Sequence, residues 1–306
     1  MFLSFYMNLL GYNKMPYFLK KYLKSPILLR LKKVGYFCGM DYASKDIYDF
    51  REYISRYDHS VTVALLTYRF TKSKRATISA LFHDCATPCF SHVIDYMNKD
   101  YEKQESTEEY TERIILSDKY LKKCLKKDKI DINSIIDFKK YTVVDNNRPK
   151  VCADRIDGVI LTAIGWTKNI TLEEIYEVVN DLCLLTNEDK ESEISFKTVQ
   201  VAKKVLEISE SIDVYCHSDE DNYMMDLLAN IAKEAINNKL FTYDDLYYLN
   251  EEKIYNILEN TGNNTIKKLF EKFKTIKKKE VPKIKLPSIK KRALNPLIMG
   301  KRIKWS

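Results

Sequence analysis

A chain of 306 residues with only seven glycines and seven prolines has few places where it can turn sharply. Sandwiches and barrels need a turn roughly every 8–12 residues. Long helices joined by short connections suit this scarcity better, and the abundant Lys, Glu, Leu, Ile and Tyr suit it too. The expected class is mainly α, and a 45% hydrophobic content is enough to bury a real core.

The apolar opening MFLSFYMNLLGY is interrupted by Ser4 and Asn8, has no basic stretch ahead of it and no small-residue cleavage pattern behind it, so no secretory signal is expected. No apolar run is long enough to predict a membrane span. Seven scattered cysteines, an odd number, argue for reduced thiols and a cytoplasmic protein. Charge is uneven: the net charge is +8, yet residues 272–305 hold thirteen Lys or Arg against Glu280 alone, a local +12 that leaves the remainder mildly acidic. The polar stretch NEDKES (187–192) reads as a linker. The expected organisation is an N-terminal extension (1–27), a main domain (28–186), a helical C-terminal lobe (187–271) and a basic tail (272–306) that folds back.

Asp58-His59-Ser60 opens VTVALLTYRF, a buried helix to about Phe70. RATISALFHD (75–84) predicts another, which must stop near Thr87-Pro88. Thr87 as N-cap with Pro88 in the first helical position predicts a new helix over CFSHVIDYM, where His92 and Asp95 lie three apart on one face. VCADRIDGVILTAIGW (151–166) has helical spacing, further helices are expected at about 196–213 and 219–238, and Pro282, Pro287 and Pro296 favour extended or strand-like paths in the tail.

Three of the four histidines fall between residues 59 and 92, each beside an acid or a helix end. His59, the adjacent pair His83-Asp84 and the distant Asp154 would give one metal two imidazoles and two carboxylates, a set that suits Mn, Mg, Fe, Ni or Zn rather than an all-thiolate zinc. A buried histidine bonded to an aspartate for structural reasons is the alternative. Cys85 and Cys89 lack a second pair at finger spacing, so a zinc knot is not expected. His217 reads as a loop or helix-start residue.

The neighbours of these residues carry a resemblance. LRLKKVG (29–35) is similar to RLxxxxQLG, SRYDHSVTVALL (55–66) to TRFEHSLGVAYL, HDCATPCFSHVID (83–95) to HDxGHGPFSHxFD and ADRID (153–157) to VDRLDY. The sequence thus resembles the HD-domain phosphohydrolases, nearest the deoxynucleoside triphosphate triphosphohydrolase branch, over roughly residues 28 to 260. GYFCGMDY, HDxATPxFxH and QESTEE further resemble a bacterial subfamily of HD-domain proteins. The resemblance implies an HD-domain helical bundle with a smaller mixed C-terminal lobe, and His59, His83, Asp84 and Asp154 as ligands of a divalent metal. It implies Arg56 and Arg155 on substrate phosphates and His92 with Asp95 beside the reacting phosphate. Glu105 could support the site, or serve only as a helix-start charge.

The departures are as informative. Thr87 and Gln104 stand where that branch usually has histidines, Gly158 replaces a tyrosine near the sugar, and Lys33 replaces a glutamine close to the nucleotide. They put dNTP as substrate in doubt more than phosphate-ester hydrolysis. The first expectation is a cytoplasmic, metal-dependent phosphohydrolase acting on a nucleotide or other phosphorylated small molecule, with Lys33 and Gln104 among its substrate-binding residues and a homo-oligomeric state implied by the resemblance. The second is a catalytically weak nucleotide- or nucleic-acid-binding regulatory protein that engages nucleic acid through the basic tail.

Overall fold

The computed structural model describes residues 2–284 and 288–302, with the Phe2 side chain excepted. Pro287, the end of KIKL and residues 303–306 lie outside the described residues.

The Arg56–Thr71 helix is the centre of the fold. Ser55 and Asp58 form a reciprocal capping box at its start, so its first turn is fixed where the site begins. It is buried from Arg56 to Thr67 except at Asp58, which places Arg56, His59, Ser60, Thr62 and Thr67 inside the protein, where each needs a polar partner. Around it pack the helices Phe2–Leu9, Lys74–Phe82 and Ala153–Thr162. A second group forms the opposite wall: Val93–Asn98 lies on Asp219–Asn237, which also holds Asn264–Thr275, while Val199–Cys216 packs against Ala153–Thr162. The architecture is mainly α, a helical domain with a small mixed C-terminal lobe.

NEDKES is not a linker. It is the turn of a hairpin between β1 (Leu182–Thr186) and β2 (Ser192–Phe196), paired from Leu182↔Phe196 to Thr186↔Ser192. The tail then adds β3 (Leu297–Ile298) parallel to β2 and β4 (Lys301–Arg302) antiparallel to β3. Glu193 on β2 is fully buried and is the polar anchor of this sheet. Its carboxylate accepts from the backbone NH of Val151 at 3.1 Å, from Asn187 Nδ2 at 3.1 Å and from the Arg302 guanidinium at 2.7 Å.

Between Asn264–Thr275 and the sheet, the basic tail runs back over the helical domain. The Lys290 amide donates to the Tyr101 carbonyl at 3.0 Å, the Arg292 amide to Asp213 Oδ1 at 2.9 Å, and the Asn295 amide to the Pro149 carbonyl at 2.8 Å. All seven cysteines are free, and no helix among the described residues is long and apolar enough to cross a membrane.

Candidate metal centre and its cavity

The stretch from His83 to His92 is a series of turns held by side chains from elsewhere. The Lys74–Phe82 helix starts at the Ser73 cap and gives way to turns at His83-Asp84. The next helix begins only at Val93, five residues after Pro88, with His92 at its N-cap. The capping signal at Thr87-Pro88 is overridden because Phe90 and Ser91 take left-handed φ values of 66° and 46°. Their neighbourhood is fixed from outside: the Cys89 amide donates to the Leu246 carbonyl at 2.7 Å and the Phe90 amide to Glu251 Oε1 at 2.9 Å. Glu251 Oε2 accepts from Gly35 at 2.9 Å, and Arg30 donates to the carbonyls of Cys85, Thr87 and Leu249.

This scaffold brings His59, His83, Asp84 and Asp154 together. His83 Nδ1 lies 2.7 Å from the Ala80 carbonyl oxygen, which can only accept, so Nδ1 carries the hydrogen and Nε2 keeps a lone pair. His59 Nδ1 lies 2.8 Å from Asp157 Oδ2, which selects the same tautomer. Both Nε2 atoms converge on Asp154 Oδ1, at 3.0 Å and 3.4 Å. Asp84 flanks them, 3.8 Å from His59 Nε2 and 3.7 Å from His83 Nε2, and also accepts from Arg56 at 2.9 Å. Donor atoms of His59, His83 and Asp154 lie within 4.8 Å of one another, and Asp145, Cys152 and Asp154 make an adjoining group.

The residues fit a divalent cation. His83 Nε2 is buried without a hydrogen-bond partner, an acceptor aimed at the other donors. Burial disfavours an imidazolium at His59, but hydrogen bonds to Asp154 and Asp157 outweigh it and raise its pKa to about 10. Burial likewise opposes ionisation of Asp154, yet His59 and His83 hold it well below the usual carboxylate range. A metal ion satisfies the same excess of carboxylate by replacing protons on the imidazoles.

His59, Asp84, Asp154 and Arg56 open onto a cavity of about 280 Å³. His92 and Gln104 also line it. His92 Nδ1 lies 2.9 Å from the fully buried Asp95, whose other oxygen accepts from the Ser106 amide at 3.1 Å, so Asp95 orients the ring from behind. Burial, Arg292 and Arg56 together outweigh Asp95 and lower the His92 pKa below its ordinary value. Gln104 accepts from Arg292 at 3.1 Å.

Two expected substrate contacts are placed differently. Lys33 does not line the cavity; it sits on the surface, 3.2 Å from Glu252, because its short 3-10 turn points outward. Arg155 lines the cavity, but its guanidinium is committed to Asp145 at 2.9 Å, the Lys150 carbonyl at 2.6 Å, and both the side chain and the carbonyl of Asn146. It holds the loop at 145–150 and has little capacity left for a ligand.

Several residues escaped the sequence reading. Asp157, three after Asp154 on the same helix, accepts from His59 and from Thr62 Oγ1 at 2.8 Å; the D-x-x-D spacing in ADRID was its signal. Tyr6, fully buried in the first helix, bonds to the same carboxylate. Tyr36 packs its ring 5.0 Å from His59 and 4.8 Å beneath the Arg56 guanidinium. A Cβ at Gly158 would lie 2.8 Å from the Tyr36 hydroxyl, so Tyr36 occupies the space that the resemblance assigns to an aromatic at 158. Arg148, Lys290 and Arg292 also line the cavity, and no local pattern marks them.

The chain is similar to known proteins. The HD domain family model matches residues 56–157. "Uncharacterized protein YdhJ" of Bacillus subtilis is 24% identical over 219 residues, 70% of this chain and 63% of that protein. "Metal-dependent phosphohydrolase cns2" of Cordyceps militaris is 26% identical over 129 residues, 42% of this chain and 36% of that protein. The chain thus spans less than two thirds of the length of either relative. The segment matched by the HD domain model gathers two imidazoles and two carboxylates, and its His59, His83 and Asp154 form a group able to hold a metal ion.

Proposed function

We propose that the chain is a metal-dependent phosphohydrolase that cleaves a phosphate ester or anhydride of a nucleotide, akin to the dNTP triphosphohydrolases. The observation that carries this reading is a cavity lined by two unlike groups of side chains. One is the His59, Asp84 and Asp154 donors with Arg56; the other is the aromatic group of Phe37, Tyr48, Phe50 and Trp166, whose flat rings suit a nucleobase. The similarity to a protein named a metal-dependent phosphohydrolase supports it.

His59, His83, Asp84 and Asp154 would hold the metal, which when bound supplies Lewis acidity at the phosphoryl group and makes water more acidic. Arg56, fixed by Asp84 and by Ser91 Oγ at 3.1 Å, neutralises charge on the phosphoryl oxygens. His92 is neutral near pH 7, and with Asp95 fixing the proton on Nδ1 its Nε2 is an acceptor. As water attacks phosphorus, His92 Nε2 takes the water proton; as the bond to the leaving oxygen breaks on the opposite side, that oxygen takes a proton from solvent, and the imidazolium later returns its own to solvent. The products are a phosphate and the free hydroxyl compound. Homo-oligomerisation and a cytoplasmic location belong to the same proposal and rest on the resemblance and the free thiols.

The test combines metal analysis of the purified chain with phosphate and tripolyphosphate release from a nucleotide panel in Mn and Mg. Metal should co-purify, at least one nucleotide should be cleaved, and Asp84→Asn should abolish turnover. No turnover on any nucleotide, together with salt-dependent nucleic-acid binding lost on deleting 272–306, would establish the regulatory alternative instead.

A further inference from the structure

Outside the matched HD segment, the tail places two cations, Lys290 and Arg292, in the wall of the cavity that holds the metal donors. The loop at 145–150 adds Arg148 to the same wall. None of the three forms an ion pair with a carboxylate among the described residues. Lys290 Nζ donates only to the Lys103 carbonyl at 2.6 Å, the Arg292 side chain only to Gln104, and the Arg148 guanidinium to nothing. By contrast, Arg302 further along the tail is fully paired with Glu188 and Glu193.

The cations are also built in. Arg292 is fixed through its own amide on Asp213 and through its carbonyl, which accepts from Ser209 Oγ at 3.4 Å. The loop bearing Arg148 is gripped by Arg155, and the Asn295 amide bonds to Pro149 in that loop, so tail and loop are joined. Arg148 and Lys290 further line an adjoining depression of about 560 Å³ whose walls carry both Lys139 and Lys291 and carboxylates such as Glu105, Glu108 and Glu191. Like-charge proximity is evident: burial, then Arg292 and Arg155, hold the Arg148 guanidinium down to about 10, and burial with Arg148 and Arg292 lowers the Lys290 ammonium. Glu108 and Asp145 line the same walls, but they pair with Lys139 and Arg155 instead, so a multivalent anion reaching these three cations gains charge-assisted hydrogen bonds and relieves their mutual repulsion.

We propose that Arg148, Lys290 and Arg292 form a second anion subsite that binds the further phosphoryl groups of a polyphosphorylated substrate, and that the tail is therefore a wall of the substrate site. The preferred substrate class is a nucleoside di- or triphosphate rather than a monophosphate, with one phosphoryl group beside the metal donors and the others under the tail. This deepens the function proposed above and rests on it for the nucleoside moiety only; the anion subsite stands on the geometry of the three cations.

The experiment titrates the full-length, Mn-loaded chain with inorganic orthophosphate and tripolyphosphate by calorimetry. Tripolyphosphate should bind at least tenfold more tightly. Arg148→Gln and Arg292→Gln should each weaken tripolyphosphate roughly tenfold and leave orthophosphate nearly unchanged, as loss of one charge-assisted bond requires. Lys279→Gln, an exposed tail lysine away from the cavity, should change neither. Arg148 makes no bond whose loss could unfold the protein, so Arg148→Gln remains decisive even if Arg292→Gln melts at a lower temperature. Equal affinity for the two anions in the wild type, or a folded Arg148→Gln that binds tripolyphosphate as the wild type does, overturns the subsite. Charge-dependent tripolyphosphate binding with no hydrolysis of any nucleotide keeps the subsite and removes the phosphohydrolase reading.

Discussion

Replacing Asp157 by asparagine keeps the size of the side chain and removes its charge at a fully buried position. In the wild type, Asp157 Oδ2 accepts from His59 Nδ1 and from Thr62 Oγ1, both at 2.8 Å. A hydrogen bond to a charged group contributes about 1.5–3 kcal/mol and a neutral one about 1 kcal/mol, so the His59 contact weakens by about 1–2 kcal/mol. At about 1.4 kcal/mol per tenfold, metal binding should weaken roughly 5- to 30-fold. That agrees with the roughly 10- to 100-fold typical when the partner of a metal-binding histidine is lost. Stability should move less: burial pushes the Asp157 carboxyl up, so the neutral amide relieves a desolvated charge and offsets part of the lost His59 contact, and the metal-free protein should lose less free energy than metal binding does. The assay is calorimetric titration of Mn into EDTA-treated protein, paired with thermal melting without metal. An Mn affinity within twofold of wild type refutes the orienting role of Asp157. So does an affinity loss matched by an equal loss of metal-free stability.

Three further outcomes are expected. Arg155→Gln should raise KM for a polyphosphorylated nucleotide with a smaller change in kcat, because it frees the loop that presents Arg148; steady-state kinetics and tripolyphosphate titration check this, and unchanged tripolyphosphate affinity would contradict it. Gly165→Ala should destabilise by about 1–3 kcal/mol in urea unfolding, since its Cβ would lie 2.6 Å from Phe37 Cζ and 2.9 Å from Ile54 Cδ1 inside the core. Burial pushes Glu251 up to about 8 and Asp41 to about 7, so the folded state holds protons that the unfolded chain releases above about pH 4.5. Their stabilisation is complete below that pH and is lost as pH rises to about 8; the melting temperature should therefore fall from pH 5 to 8.5, and Glu251→Gln should flatten that slope.

The clustering of His59, His83 and Asp154 was legible because histidine is rare in this chain and three of the four stand beside acids or helix ends, where side chains converge. The central helix was legible for a related reason: from Val61 to Leu66 its residues are apolar except for Thr62. The hairpin at 182–196 was not, since Leu182-Cys-Leu-Leu continues directly from the preceding helix, and a polar turn looks like a linker until its two sides are seen to pair. The late helix start at Val93 was hidden because the deciding partners, Leu246 and Glu251, are more than 150 residues away in sequence. The place of the tail was hidden similarly: Arg292 meets Gln104 and Asn295 meets Pro149, contacts that composition cannot encode. Arg155 shows the limit of carrying a role across by position, because its own loop consumes the guanidinium.

The buried Glu193 carboxylate makes the far end of the chain audible at the metal. One of its oxygens holds the amide of Val151, two residues before the helix that carries Asp154 and Asp157, while Arg302 neutralises its charge from the tail. Clipping the chain ahead of Arg302 would leave that carboxylate buried without its counter-charge, held only by the Val151 amide and Asn187, a change that typically costs about 3–5 kcal/mol. The strain would fall on the root of the Asp154 helix. A protease that nicks the tail thus acts on the Asp154 helix at a distance, and loss of a few tail residues should register first as a weaker affinity for Mn.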